Sequence, residues 1–343
     1  MQYYPPFAPV LTPAQEEHRA LLHEGNFLGT GMLLLLVLQQ VLATTVITLL
    51  ALFGFTDLQT ALSDQYWGLG HTAFLFVYMG VYTVMMGAPL WFAAACFRVR
   101  RNPFGMHARV RPTVFIAAVL IGLGGCVLAN LLTGIWTNIW SMFGFELQNI
   151  DVYTEPSAQS LLLNLATFAV LPALLEEMVF RGFVLQGLRG LGDPAAIVLS
   201  ALLFGLMHIN LLQLPFAFLL GLLMGYLVVK TGNIWVAVVI HFLNNALCVT
   251  MDYAGQFISE AEVGWLTTLI LTLLAVVGIL VMAVLVARRS SLITFLETTR
   301  SALLPHERMR ALVGAPCMWI AIAVLAAMTL LVSLMDAVAA TMG

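Results

Sequence analysis

Residues 160–188 read SLLLNLATFAVLPALLEEMVFRGFVLQGL. A run of this length and apolarity crosses the hydrocarbon core of a bilayer as a helix, since about 20 residues suffice. Inside it stands Glu176-Glu177-Met178-Val179-Phe180-Arg181-Gly182. Each of those three ionisable residues costs about 2.5–3.5 kcal/mol at the centre of a membrane helix, so each marks a candidate functional or pairing position. Glu177 and Arg181 are four residues apart and share a face, which predicts an ion pair along the helix. Glu176 points about 100° away from Glu177 and needs a different partner.

Working outward, the chain shows nine apolar spans, at 28–53, 71–97, 113–139, 160–188, 195–209, 211–229, 234–251, 265–287 and 313–338. The fifth, bracketed by Pro194 and Pro215 and ending in the polar stretch His208 to Asn210, is expected to be a short helix buried in the bundle. The composition agrees: 61% of residues are hydrophobic and 9% charged, against about 25% charged in a soluble domain. The predicted fold is an all-α, polytopic transmembrane bundle whose first partner is the lipid bilayer.

Charge supplies the orientation. Threading nine spans from a cytoplasmic N-terminus puts Arg19, Arg98, Arg100, Arg101, Arg109, Arg111, Arg189, Lys230, Arg288, Arg289, Arg300, Arg308 and Arg310 on one side, while Asp57, Asp64, Glu146, Asp151, Glu155, Asp252, Glu260 and Glu262 fall on the other. This is the positive-inside pattern. A net charge of -3, with bases scattered over short loops, argues against a nucleic-acid partner. Cys96, Cys126, Cys248 and Cys317 stand singly in or beside apolar runs, without metal-site spacing, and read as packing residues. The polar first 26 residues precede an apolar run too long for a cleavable leader, so the N-terminus is expected to be retained. Gly221 and Gly225 form a GxxxG that favours close helix packing. Three regions follow: 1–159 with three spans, 160–252 with the four central helices, and 253–343 with two spans and a connecting loop.

The fifth span supplies Phe204 and His208 and the seventh His241 and Asn245, each pair again four apart on one face. At 1.5 Å per residue, Glu176 lies roughly 20 Å from Arg189, His208 roughly 21 Å from Pro194, Asn245 roughly 18 Å and His241 roughly 12 Å from Asn233. The four polar residues therefore lie at similar depth and can converge on one buried site. A desolvated carboxylate beside an imidazole suits a general base that activates water. A facing His and Asn supply hydrogen-bond donors for a developing oxyanion.

These residues, Glu176-Glu177-x-x-x-Arg181, Phe204-x-x-x-His208 and His241-x-x-x-Asn245 in that order on three helices, resemble the three motifs of the CAAX-protease and bacteriocin-processing (CPBP, or Abi) family. The resemblance covers about a quarter of the chain. It implies a glutamate-dependent intramembrane endopeptidase in which Glu176 and His208 activate water and His241 and Asn245 form the oxyanion site. Glu177 and Arg181, with Phe204, would support the motif helix. It implies a peptide or membrane-protein substrate, a location in a prokaryotic plasma membrane, and no cofactor. Two His and a Glu are a set that zinc accepts, but the chain has no HExxH, and the resemblance implies catalysis without a metal. Two other readings stand beside the protease: a non-catalytic membrane scaffold or regulator of the same fold, and a proton-coupled transporter with a Glu/His relay. The second lacks the internal repeat that many transporters show.

Overall fold

The structure, a computed structural model, describes residues 11–64, 66–96, 108–142, 156–294, 296 and 301–342. All the regular structure among them is helical. The elements are α1 (Pro13–Leu52), the short α2 (Leu58–Ser63), α3 (His71–Cys96), α4 (Pro112–Met142), α5 (Ala158–Leu191, broken internally), α6 (Asp193–Met207), α7 (Gln213–Thr231), α8 (Trp235–Ala254), α9 (Glu260–Ala287), α10 (Pro305–Val313) and α11 (Pro316–Met342). Eight of these are long and apolar enough to cross a membrane, and α6, at 15 residues, is the shorter ninth. The protein is an integral, multi-pass membrane protein, and the short buried helix expected at 195–209 is α6.

Helix α1 begins well before its apolar run. Thr12 caps it by accepting the Gln15 N–H at 3.3 Å, while the Gln15 side chain accepts the Thr12 N–H at 3.0 Å, a capping box that satisfies two otherwise orphaned donors. Its 40 residues span about 60 Å, twice the hydrocarbon thickness of about 30 Å, so one end projects beyond the apolar layer. There Glu17 accepts the Ala302 N–H at 2.8 Å and the Ser301 hydroxyl.

The same end collects the basic loops. Ala108 N–H donates to Gly232 O at 3.0 Å and Asn233 Nδ2 to Ala108 O at 2.9 Å. Lys230 Nζ reaches Thr294 Oγ1 at 2.8 Å, and Tyr226 OH lies 2.9 Å from the carbonyl oxygens of both Leu292 and Thr294. Arg308 packs against Gly192, and Arg189 grips Asp193 at 2.7 Å and 3.1 Å. Arg19, Arg109, Arg111, Arg189, Lys230, Arg288, Arg289, Arg308 and Arg310 all sit on these segments. At the other end Trp136 Nε1 donates to Leu211 O at 3.0 Å, and Leu211 N–H to Ser333 Oγ at 3.1 Å. The segregation of charge read from the sequence is thus a property of the fold for these residues. Arg98, Arg100, Arg101, Arg300, Glu146, Asp151 and Glu155 lie outside the described residues.

Glycine sets the tightest crossings. A Cβ on Gly221 would meet Ala201 Cα at 3.0 Å, and one on Gly225 would meet Ile197 at 3.3 Å, so the GxxxG in α7 packs α7 against α6. A second pair, Gly25 and Gly29 in α1, lies against Leu312 and Ala315 and against the start of α11 respectively. A Cβ on Gly29 would stand 2.2 Å from Met318 N and 2.3 Å from the Cys317 carbonyl carbon. Asn26 Oδ1 in the same turn accepts the Cys317 N–H at 3.1 Å. Backbone atoms cannot step aside as a side-chain tip can, so Gly29→Ala is expected to destabilise by about 1–3 kcal/mol through overpacking. Gly87, where an added Cβ meets nothing within 4 Å among the described residues, should tolerate or gain from Ala, by up to about 1 kcal/mol. Thermal unfolding of the detergent-solubilised variants measures both, and a cost shared equally between them would contradict the close α1–α11 crossing.

Candidate active site

The site is built around α5, whose hydrogen-bond ladder is twice widened to π turns, at Leu165–Val170 and Met178–Leu185. Such turns are frequent at functional sites because they take carbonyls out of the regular ladder and re-aim side chains. The first ends at Pro172, which has no N–H to offer the carbonyl of Phe168 four residues before it. Asn245 Nδ2 from α8 donates to that carbonyl at 3.1 Å. Beside the second, Ser200 Oγ from α6 donates to Phe180 O at 2.9 Å. Polar side chains from α6 and α8 thus anchor the broken helix on either side of its glutamates.

Glu177 is fully buried and holds two groups on one oxygen: Arg181 Nη1 at 3.0 Å and His241 Nδ1 at 2.9 Å. The pair with Arg181 is the one expected from the spacing, and the imidazole is an addition to it. Arg181, itself 1% exposed, also lies 4.5 Å above the ring of Phe204, so its buried charge is met by a carboxylate on one side and a π face on the other. Phe204 in turn sets its ring edge-on to Phe180, His208 and His241, with centroids 5.1, 5.2 and 6.0 Å away. This phenylalanine is where the three sequence motifs meet.

Glu176 turns away from this pair, as its helical angle requires. Its Oε1 accepts a hydrogen bond from Tyr82 OH of α3, a buried contact between residues 94 apart in the chain. Its Oε2 is buried without a hydrogen-bond partner among the described residues and faces His241 Nε2 at 3.9 Å. That spacing is too long for a direct hydrogen bond. An ionised Glu177 only accepts, so His241 donates to it from Nδ1, and its Nε2, facing Glu176, is a lone pair in the neutral ring and an N–H donor in the imidazolium. His208 follows the same rule: Nδ1 lies 2.8 Å from Phe204 O, an acceptor, which leaves Nε2 as the imidazole's own acceptor. His208 closes the C-terminal end of α6 and is half-buried, followed by Ile209 at a left-handed φ of 50°.

Glu176, Glu177, Arg181, Phe204 and His241 therefore form one buried cluster. His208 joins it through Phe204, and Asn245 through the backbone of α5. Among the described residues no hydrogen bond links Glu176 directly to His208, and no group of three or more His, Cys, Asp and Glu side chains is arranged as metal ligands. The sequence reading has no place for Tyr82. A tyrosine in an apolar helix looks like packing, and the only available signal is the i, i+4 stripe Tyr78 and Tyr82, which stack at 5.9 Å. Tyr78 also packs on Phe168 at 5.5 Å, beside the first π turn.

A helical membrane bundle with a buried carboxylate pair and two histidines defines the class. Residues 158–247 match the family model described as type II CAAX prenyl endopeptidase Rce1-like. Every motif residue lies within that segment, whose likeness is to the CAAX-protease family. Comparison with curated proteins and with solved structures gives no match.

The two glutamates should separate cleanly on substitution. Glu177→Gln leaves the buried Arg181 charge uncompensated, which is expected to cost about 3–5 kcal/mol. Glu176→Gln keeps an acceptor for Tyr82 and should lie within about 1 kcal/mol of wild type. Unfolding midpoints of the two purified variants test this, and equal losses would overturn the division of labour between the neighbouring carboxylates.

Proposed function

We propose that the protein is an intramembrane endopeptidase that hydrolyses a peptide bond in a membrane-associated or hydrophobic peptide or protein. The observation that carries this reading is the contrast between the neighbouring glutamates. Glu177 takes Arg181 and His241 together on Oε1 and leaves its own Oε2 without a partner among the described residues, whereas Glu176 takes the Tyr82 hydroxyl and turns its unpartnered Oε2 toward an imidazole nitrogen 3.9 Å away. A structural charge pair needs no second carboxylate; a general base does.

In this mechanism Glu176 Oε2 takes a proton from water, whose other hydrogen is held by His208 Nε2. The water oxygen then bonds to the scissile carbonyl carbon. The oxyanion that forms is met by His241, protonated at Nε2 and backed through Nδ1 by Glu177, and by the second amide hydrogen of Asn245, the first being given to Phe168 O. Collapse breaks the carbon–nitrogen bond, and the amine leaves with the proton returned from Glu176. Glu177 plays the part of the carboxylate behind a catalytic histidine, setting its tautomer and supporting its charged form. No step requires a metal, and chelators should leave the rate unchanged.

Comparative terminal-peptide mass spectrometry of membranes from cells carrying wild type, a deletion, or Glu176→Gln at equal abundance tests the reading with no substrate chosen beforehand. The expected outcome is a set of new termini formed only by wild type, reduced by about 10²–10⁴-fold in the variant, the range for loss of a general base. Termini unchanged by Glu176→Gln, with a phenotype for the deletion alone, would turn the conclusion to the scaffold.

A further inference from the structure

The two adjacent carboxylates differ in the kind of donor each receives. Glu177 takes the guanidinium of Arg181 and the imidazole of His241. Glu176 takes a phenol, the Tyr82 hydroxyl, on Oε1. A cation bound directly to a carboxylate stabilises its charge strongly and makes it a poor proton acceptor, while a neutral donor orients it without adding charge. A phenol has one proton to give and one direction in which to give it. Its placement on Oε1 settles that Oε2 is the oxygen turned toward His241 Nε2.

The geometry points to Tyr82 as the positioning residue of the catalytic glutamate, an assignment that rests on the protease reading above. Tyr82 comes from α3, outside the 158–247 segment matched by the family model, so the site is completed by a helix that the three motifs do not include. The tyrosine is itself held. Its own ring is buried at 8% exposure and stacks on Tyr78 with an interplanar angle of 22°. Tyr78 in turn packs on Phe168, whose carbonyl receives Asn245. One aromatic stripe on α3 therefore spans from the π turn that anchors Asn245 to the carboxylate of Glu176. Without the phenol, Glu176 χ3, a broad terminal torsion, is free to turn out of the orientation that aims a carboxylate oxygen at His241. The role acts on the reacting carboxylate and not on the substrate, so its loss belongs in kcat and leaves KM in place.

The experiment compares wild type, Tyr82→Phe, Tyr226→Phe and Glu176→Gln, purified and reconstituted in lipid vesicles. The assay substrate is a peptide spanning the cleavage position found by terminal mass spectrometry. Tyr226 loses an equivalent hydroxyl in another membrane helix, 2.9 Å from the Leu292 and Thr294 carbonyl oxygens at the basic end. The expected result is a fall in kcat of about tenfold or more for Tyr82→Phe, with KM within about twofold, equal unfolding temperatures for both tyrosine variants, and Tyr226→Phe at wild-type rate. A Tyr82→Phe enzyme with wild-type kcat, or one whose loss is matched by a lowered unfolding temperature, overturns the positioning role while Glu176→Gln remains inactive and the protease reading stands. Cleavage that survives Glu176→Gln overturns both at once, and that pattern is distinct from the first.

Discussion

The buried anion of Glu177 is the constraint around which the site is arranged. It sits at 0% exposure with Arg181 at 1%, and among the described residues Glu177 Oε2 and Arg181 Nη2 have no hydrogen-bond partner, so the pair depends on the groups that do reach it. The support comes from three helices. Arg181 reaches Glu177 along α5, His241 reaches it from α8, and Phe204 from α6 covers the guanidinium with its π face. Removing Glu177 or Arg181 leaves the other charge unpaired in a low-dielectric interior, so this cluster ties α5, α6 and α8 together. Glu176 gains its environment by adjacency: one residue along the helix, it inherits the rigid surroundings without sharing the pairing.

The broken course of α5 makes this adjacency useful. In an unbroken α-helix, Glu176 and Glu177 would differ only in azimuth. The two π turns flanking them, at Leu165–Val170 and Met178–Leu185, shift the phase of the helix on either side and expose carbonyls that Asn245 and Ser200 capture. The glutamates thus occupy the short α-helical stretch Leu171–Glu177 between two anchors. A polar asparagine in a membrane helix has a structural task here before any catalytic one.

Much of this was legible in the residues. The apolar spans give the helices, because backbone polar groups in lipid must be satisfied internally and the helix does so within one segment. The four-residue spacings give Glu177 with Arg181 and the facing residues of α6 and α8, because i and i+4 share a face at 3.6 residues per turn. Three things were hidden for physical reasons. Tyr82 meets Glu176 only through the crossing of α3 over α5, and sequence periodicity carries no crossing geometry. The π turns depend on which carbonyls find outside donors, a tertiary matter. His241 turns its Nδ1 to Glu177 because of how α8 rotates against α5, so the histidine read as an oxyanion donor proves also to be tied to the structural carboxylate.

The close crossing at Gly29 bears on how the bundle comes together. Its partner is the start of α11, and the hydrogen bond from Cys317 to Asn26 closes a loop of 291 residues. A chain delivered to the membrane span by span carries α1 there first, with its tightest contact surface bare. That surface stays bare while the broken helix and its charged cluster enter. Assembly of the glutamate site and closure of the outer contact are then separate events, the second unable to begin until α11 has arrived.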